Sequence, residues 1–246
     1  MDAEVVRGSG GYPLAYYREK SRRDLRWADD LCLAEGASPA DAAARIMADL
    51  AGWGATAEAS LSAHLVERGA RVRHAYDTYT FGLREPARPL ARIRFPRNLS
   101  PRPAGAIDPE LLRATHAAAY PPGHPDHRTG MFDELRALMS GTLMGPLLPA
   151  SAVLIDSDRG VGIAAVLVQD RPGSPPAEGP WISEVFRDPA PAYRGVGALL
   201  LRHVLWSSAA AGLPALGLAA TAGNRAAQLY ENIGFVRTAR RVDLLL

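Results

Sequence analysis

The stretch from Val185 to Leu201 constrains this chain more than any other. It reads as the end of a strand, a tight turn holding Gly195 and Gly197, and the start of an apolar helix. Such a unit needs a sheet for the strand and a core for the helix face. A helix start leaves its first backbone N–H groups without intrahelical partners, and glycine lets a ligand come close to them. The turn is therefore a candidate phosphate cradle.

Composition narrows the setting. With 246 residues, 48% of them hydrophobic and 22% charged, the chain can build one large domain or two small ones. A formal net charge of +2 gives no argument for a nucleic-acid or membrane surface. The single cysteine, Cys32, excludes an internal disulfide and a cysteine-rich metal site, and fits a reducing, cytoplasmic setting. Residues 1–13 lack the apolar core of a secretion signal. The apolar region from Gly195 to Ala220 is broken by Arg202, His203 and Pro214, so it reads as a buried helix and strand, not a membrane span.

Taken in order, residues 1–88 carry much helix pattern. Leu14–Leu33 is read as a helix, and Ser38-Pro39-Ala40-Asp41 as a capped helix start running to about Leu50. A further helix is expected over Ala57–Arg68 and a strand over Arg71–Leu83. Gly8–Gly11 is read as a plain flexible turn. Five prolines within residues 84–106 mark the expected boundary, giving regions 1–88 and 89–246. Leu90–Phe95 alternates and is expected to open the second region as a strand. Then come a helix over Asp108–Ala119, a loop Tyr120–Gly130, a helix over Met131–Ser140 and a hairpin of Val153–Ile155 with Val161–Val168. A Pro/Gly-rich loop over Arg171–Pro180 leads into the strand Trp181–Phe186. After the cradle and its helix to about Ala210 follow a short strand over Leu213–Ala219, a helix over Asn224–Asn232 closed by Gly234, and a last strand over Val236–Leu245. This is an α/β layout with a mixed sheet.

The residues around the cradle resemble the GCN5-related N-acetyltransferases. Pro191-Ala192-Tyr193-Arg194-Gly195-Val196-Gly197-Ala198 is similar to that family's pyrophosphate-binding loop, except that Ala192 stands where the family usually has Gln or Arg. Asn224 to Phe235 is similar to a second family segment, Asn-x-x-Ala-x-x-Leu-Tyr-x-x-x-Gly-Phe. The resemblance covers about residues 90–246. It implies a mostly antiparallel mixed sheet flanked by helices, and acetyl-CoA as co-substrate. Backbone donors of the Gly195-Val196-Gly197-Ala198 turn would hold the pyrophosphate, with Tyr193 in the approach to it and Arg194 either a charge partner for the CoA phosphates or a solvated surface residue, and Val185, Phe186 and Arg187 would pair with the pantetheine arm where the strand splays from its neighbour. Asn224 would cap its helix or bind that arm, and Tyr230 would protonate the departing sulfur.

Acetyl transfer to an amine needs a neutral nucleophile, a stabilised oxyanion and a protonated leaving thiolate. Glu184 is the candidate base; on an alternating strand it shares a face with Ile182 and Phe186, and Ser183 replaces it if the face is shifted by one. His124, Asp126 and His127 have no helix to fix them as metal ligands. They are candidates for the acceptor pocket, with a surface loop as the alternative, while His116 and His203 read as structural. The segment Ser62–Arg73 echoes Ala227–Arg237, with Leu65, Val66, Glu67 and Gly69 on Leu229, Tyr230, Glu231 and Gly234. Either residues 1–88 are a degenerate half-copy of the same lobe, or the echo is a chance similarity between two helix–glycine–strand units. The expectation is an N-acetyltransferase acting directly on an amine, most simply a small molecule, in a ternary complex. The rival is a non-catalytic acyl-CoA-binding regulatory module. No nucleic-acid, membrane or metal partner is expected, and homodimerisation is left open.

Overall fold

The computed structural model describes residues 3–22, 24–84, 86, 89–171 and 179–246, which divide into two compact units. The first comprises residues up to Thr78 together with Ala239–Leu246; the second is Tyr79–Thr238. Division falls inside two strands, upstream of the proline-rich stretch expected to separate the regions, and the C-terminal residues return to the first unit.

In chain order the first unit holds β1 (Glu4–Arg7), β2 (Pro13–Arg22), β3 (Leu25–Leu33), α1 (Pro39–Asp49), β4 (Gly54–Glu58), α2 (Ala59–Glu67) and most of β5 (Arg71–Gly82). β1, β2 and β3 pair antiparallel in sequence, and β3 pairs parallel with β4. Helices α1 and α2 bury Ile46, Leu61 and Leu65 against Ala28, Leu31, Ala55 and Ala57 of this sheet. The expected helix over Leu14–Leu33 is therefore two strands. Asp24, at φ +64°, turns the chain between them, and a helix has no place for that conformation. The charges of this stretch pair across the strands: Lys20 and Arg22 each reach Asp29 at 2.5 Å, and Arg26 reaches Glu19 at 2.9 Å. The helix expected from Ala57 begins two residues later because Ala57 and Glu58 belong to β4, which continues the sheet. Gly8–Gly11 forms the turn between β1 and β2.

One buried chain of hydrogen bonds ties this unit together. Trp27 Nε1 donates to Thr56 Oγ1 at 2.9 Å, and the Thr56 hydroxyl donates to Asp243 Oδ1 at 2.6 Å. Thr56→Val keeps the shape and removes both bonds, leaving a buried indole N–H without its acceptor. It is expected to cost about 1–3 kcal/mol, read as a lowered denaturant midpoint with an unchanged slope; an unchanged midpoint would remove this chain of bonds from the account.

The second unit holds β6 (Leu99–Pro103), α3 (Arg113–Ala119), α4 (Met131–Met139), β7 (Ala152–Asp156), β8 (Val161–Arg171), β9 (Gly179–Arg187), α5 (Val196–Ala210), β10 (Ala215–Thr221), α6 (Ala226–Ile233) and the start of β11 (Val236–Leu245). The sheet order is β10-β9-β8-β7-β6, parallel at β9–β10 and antiparallel elsewhere. On one face α5 buries Leu200, Leu201, Val204 and Leu205 against Val166, Val168, Ile182 and Leu218. On the other, Leu112, Leu135 and Leu138 pack on Val153, Ala165, Leu167 and Phe186. Leu90–Phe95 is not a strand: Pro89 and Pro96 flank it, and Leu90 and Phe95 lie against the core as irregular chain. The expected helix from Asp108 starts as a 3-10 turn over Pro109–Leu112, with Asp108 accepting from the Glu110 amide at 3.0 Å, before α3 proper. The loop expected over Arg171–Pro180 lies largely outside the described residues. Among the described residues no helix is long and apolar enough to cross a membrane.

The first unit's run β1-β2-β3-α1-β4-α2-β5 repeats the order of β7-β8-β9-α5-β10-α6-β11. Registers agree as well. Trp27 of β3 faces Gly54 of β4, as Trp181 of β9 faces Gly217 of β10.

Candidate active site

The site is built where β9 leaves β10. The two strands pair only at Trp181–Gly217 and Ile182–Leu218. Beyond Ile182 the strand keeps its bonds to β8 as far as Arg187. The β10 side of Ser183–Arg187 is left without ladder partners from β10, which is the splay the sequence suggested.

A register slip shapes this segment. Ile182 faces Val168 and Glu184 faces Leu167, so two steps on β9 match one on β8 and Ser183 is the extra residue of a bulge. This corrects the expected face. Ile182 joins the core under α5, whereas Phe186 joins the core under α3 and α4. Glu184 shares only Phe186's face, because the bulge turns the strand between them and Ile182. Ser183 Oγ is buried with no hydrogen-bond partner among the described residues.

Glu184 keeps some solvent contact at its edges, yet its carboxyl is largely desolvated. Burial pushes its pKa up to about 7, opposed by a hydrogen bond from Tyr120 and the charge of Arg128, and aided by Asp126 and Glu134. Tyr120, just past the end of α3, donates its hydroxyl to Glu184 Oε1 and lies 3.3 Å from the carbonyl oxygen of Val185. The loop it heads is anchored on the other side of the splay. Asp126 accepts from the hydroxyl of Thr221, at the end of β10, and from Asn224 Nδ2 at 3.0 Å. His124 Nδ1 accepts from the Asp126 amide at 3.1 Å, and His127 Nδ1 donates to the Tyr120 carbonyl at 2.8 Å. The three loop residues singled out from sequence are thus tied into one loop that reaches both strands.

Asn224 uses both ends of its side chain. Oδ1 accepts from the amide of Ala226, the first residue of α6, at 2.9 Å, while Nδ2 donates to Asp126. Tyr230 lies buried on α6 against Tyr79 and Phe235, at ring distances of 6.2 and 5.9 Å. Burial first, then the nearby carboxylates of Glu184 and Asp126, hold its phenol protonated well above the usual range. Gly234, at φ +117°, ends α6.

The cradle follows β9 directly. Gly195, at φ +87°, stands at the start of α5, and no side chain caps that helix. The first-turn amides of Val196, Gly197 and Ala198 therefore lack intrahelical acceptors, and the helix dipole adds positive potential there. A Cβ at Gly197 would meet the Arg187 side chain at 3.7–3.8 Å, so the arginine's carbon stem lies beside the cradle. Arg187 Nη1 donates to the Asp188 carbonyl at 2.5 Å. Arg194 is exposed. Tyr193 turns its side chain into the fold: it is buried, donates its hydroxyl to Asp156 Oδ2 at 2.6 Å and accepts from Arg159 Nη1 at 3.0 Å, while its amide donates to the Ala190 carbonyl at 3.0 Å. Its side chain anchors the cradle to the β7–β8 hairpin. Val196 and Phe186 are likewise core side chains that could offer a ligand only backbone.

Orphaned helix amides, an unpaired strand edge and a buried hydroxyl without partner suit a diphosphate followed by an amide-bearing arm. The first unit has neither the uncapped helix start nor the parted strands in its matching place. Ser38 Oγ accepts from the Asp41 amide at 3.3 Å, Pro39 removes another donor, and Asp41 puts a negative charge in the first turn of α1. Pairing of β3 with β4 also resumes after a register slip, at Leu31–Ala57, so the strands do not part there.

Sequence reasoning missed Tyr120 and Thr221. Tyr120 was visible only as an aromatic between a helix and a Pro-Pro-Gly loop, and Thr221 carried no local signal. His116 was read as structural and is buried among Tyr120, Phe132 and Phe186, where desolvation lowers its pKa to about 4.

No family model and no curated protein matches this sequence. Solved structures do. A GCN5-related N-acetyltransferase from Sphaerobacter thermophilus has a TM-score of 0.65 at 18% identity, over 98% of this chain and 78% of that one. A tandem GNAT protein from the clavulanic acid biosynthesis pathway gives 0.57 at 16% identity, over 96% and 80%. A GCN5-related N-acetyltransferase from Kribbella flavida gives 0.55 at 16% identity, over 94% and 84%. The chain has the GCN5-related N-acetyltransferase fold, and its likeness to the tandem protein runs through both units.

Proposed function

We propose that this chain is an acetyl-CoA-dependent N-acetyltransferase that acts directly on an amine, most simply a small molecule, in a ternary complex. The observation that carries the reading is the junction of an uncapped Gly195–Gly197 helix start with a strand edge that opens at Ser183 and presents Glu184. Acetyl-CoA would supply the acetyl group and a thiol leaving group. The amides of Val196, Gly197 and Ala198 would hold its diphosphate, with Arg187 and Arg194 as nearby charges. The free edge of β9 around Val185 would hold the arm and offer an amide to the carbonyl oxygen.

Glu184 would take the proton of the acceptor ammonium or amine, directly or through water. A carboxyl with a pKa of about 7 is half ionised near neutral pH, where a general base works best. Tyr230 would give its proton to the departing sulfur, which suits a phenol kept protonated by burial and nearby carboxylates. Cys32 lies in the first unit, so the second unit holds no cysteine to carry the acyl group.

Calorimetry with acetyl-CoA should record binding, and a panel of amine acceptors with thiol release monitored should record turnover. Tyr230→Phe should lower turnover by about 10²-fold with acetyl-CoA affinity nearly intact. Absence of acetyl-CoA binding would overturn the reading; binding without turnover on any acceptor would favour an acyl-CoA-binding regulatory module.

A further inference from the structure

Glu184 reaches the splay on a side chain with three rotatable bonds, and holding such a side chain in one geometry costs rotamer entropy. A base left free to swing spends much of its time out of reach of the proton it must take. Among the described residues, one side chain donates a hydrogen bond to it, the hydroxyl of Tyr120. Tyr120 is itself held on three sides. Its ring packs edge-on against His116 at 5.1 Å and His124 at 5.2 Å, and tilted against Phe186 at 6.4 Å. Its carbonyl accepts from His127, and the loop it heads is tied by Asp126 to Thr221 and Asn224.

Building on the reading of Glu184 as the base, we propose that Tyr120 is the positioning residue of the transfer. Its hydroxyl fixes Oε1 of Glu184 and leaves Oε2 to accept the proton of the incoming amine. The phenol keeps its own proton throughout, since burial and the adjacent Glu184 hold its pKa well above 10. The amine proton therefore passes to Glu184 and not to Tyr120; before the next turnover it returns, through water, to the Tyr230 phenolate left when that phenol protonates the departing sulfur. Besides Tyr120, the charges Glu184 feels are Arg128 and Asp126 of the loop and Glu134 of α4, and its own charge is felt by Tyr230 of α6.

The test is a double-mutant cycle of Tyr120→Phe and Glu184→Gln, with kcat/KM for an amine acceptor followed against pH and acetyl-CoA affinity measured by calorimetry. Y120F is expected to lower kcat by about 10²-fold and to move the acidic limb of the profile to higher pH. The sign follows from the lost bond, which favours the ionised carboxylate and so holds the pKa down. Acetyl-CoA affinity and thermal midpoint should hardly change, and on the E184Q background Y120F should add no further loss. Full multiplication of the two losses, or a Y120F limb that does not move, would overturn the positioning role and leave Glu184 as base. Undiminished turnover in E184Q would overturn the base assignment itself, and this proposal with it.

Discussion

Glu184→Gln is expected to lower amine acetylation by about 10²–10⁴-fold while acetyl-CoA still binds. Gln keeps the length of the side chain and still accepts from Tyr120, so the bulge and the loop should stay in place. What it loses is a site that can take a proton. In the unmodified protein kcat/KM should rise as pH climbs through about 7, where Glu184 ionises, and the E184Q profile should lack that limb. The same substitution bears on stability. Glu184 binds its proton more tightly folded than unfolded, so its contribution is most favourable below the ordinary carboxyl range and is lost as pH rises through about 7. Above pH 7 E184Q should therefore be as stable as the unmodified protein or more so. The gain is at most about 3–4 kcal/mol, reduced by the side chain's residual solvent contact. An inactive E184Q that is also markedly less stable at pH 8 would point to a structural carboxylate and sink the base assignment.

Gly197→Trp is expected to abolish acetyl-CoA binding without unfolding the chain. The position is in the first turn of α5, partly open to solvent, and faces the Arg187 stem. A single added carbon there meets Arg187 at 3.7–3.8 Å, an ordinary contact, so Gly197→Ala should bind nearly as well as the unmodified protein. An indole would cover the amides that the diphosphate must reach. The pair of variants separates blocked approach from helix damage, since both raise helix propensity over glycine. Unimpaired acetyl-CoA binding by G197W in calorimetry would move the cradle elsewhere.

The second unit was largely legible because its signals are local. The hairpin of β7 and β8, the strand β9, the Gly-bounded helix α5 and the Gly234 stop of α6 each follow from residues adjacent in sequence. The echo between Ser62–Arg73 and Ala227–Arg237 was likewise legible, and both segments are a helix leading into a strand. β2 and β3 were not. Their alternating charges fit a solvated helix as well as a hairpin, and what decided between them was Asp29 meeting Lys20 and Arg22 across the strands. Tyr193 illustrates the same limit within the cradle: sequence put it beside Arg194, but Asp156, far upstream, turns its hydroxyl into the fold.

By itself the sequence determined the strand–glycine–helix cradle of Val185–Leu201, the capped starts and glycine stops of its helices, and the residue types at the splay. These depend on backbone freedom and on donors and acceptors a few residues apart. Only the tertiary structure decided which way Glu184 faces, that Tyr120 holds it, and that Asp126 ties the loop to Thr221 and Asn224. A bulge is a property of two strands and not of one. Hydrogen bonds between residues far apart in the chain leave no mark on the sequence near either partner. The desolvation that carries Glu184 to a pKa of about 7 likewise arises from everything packed around it.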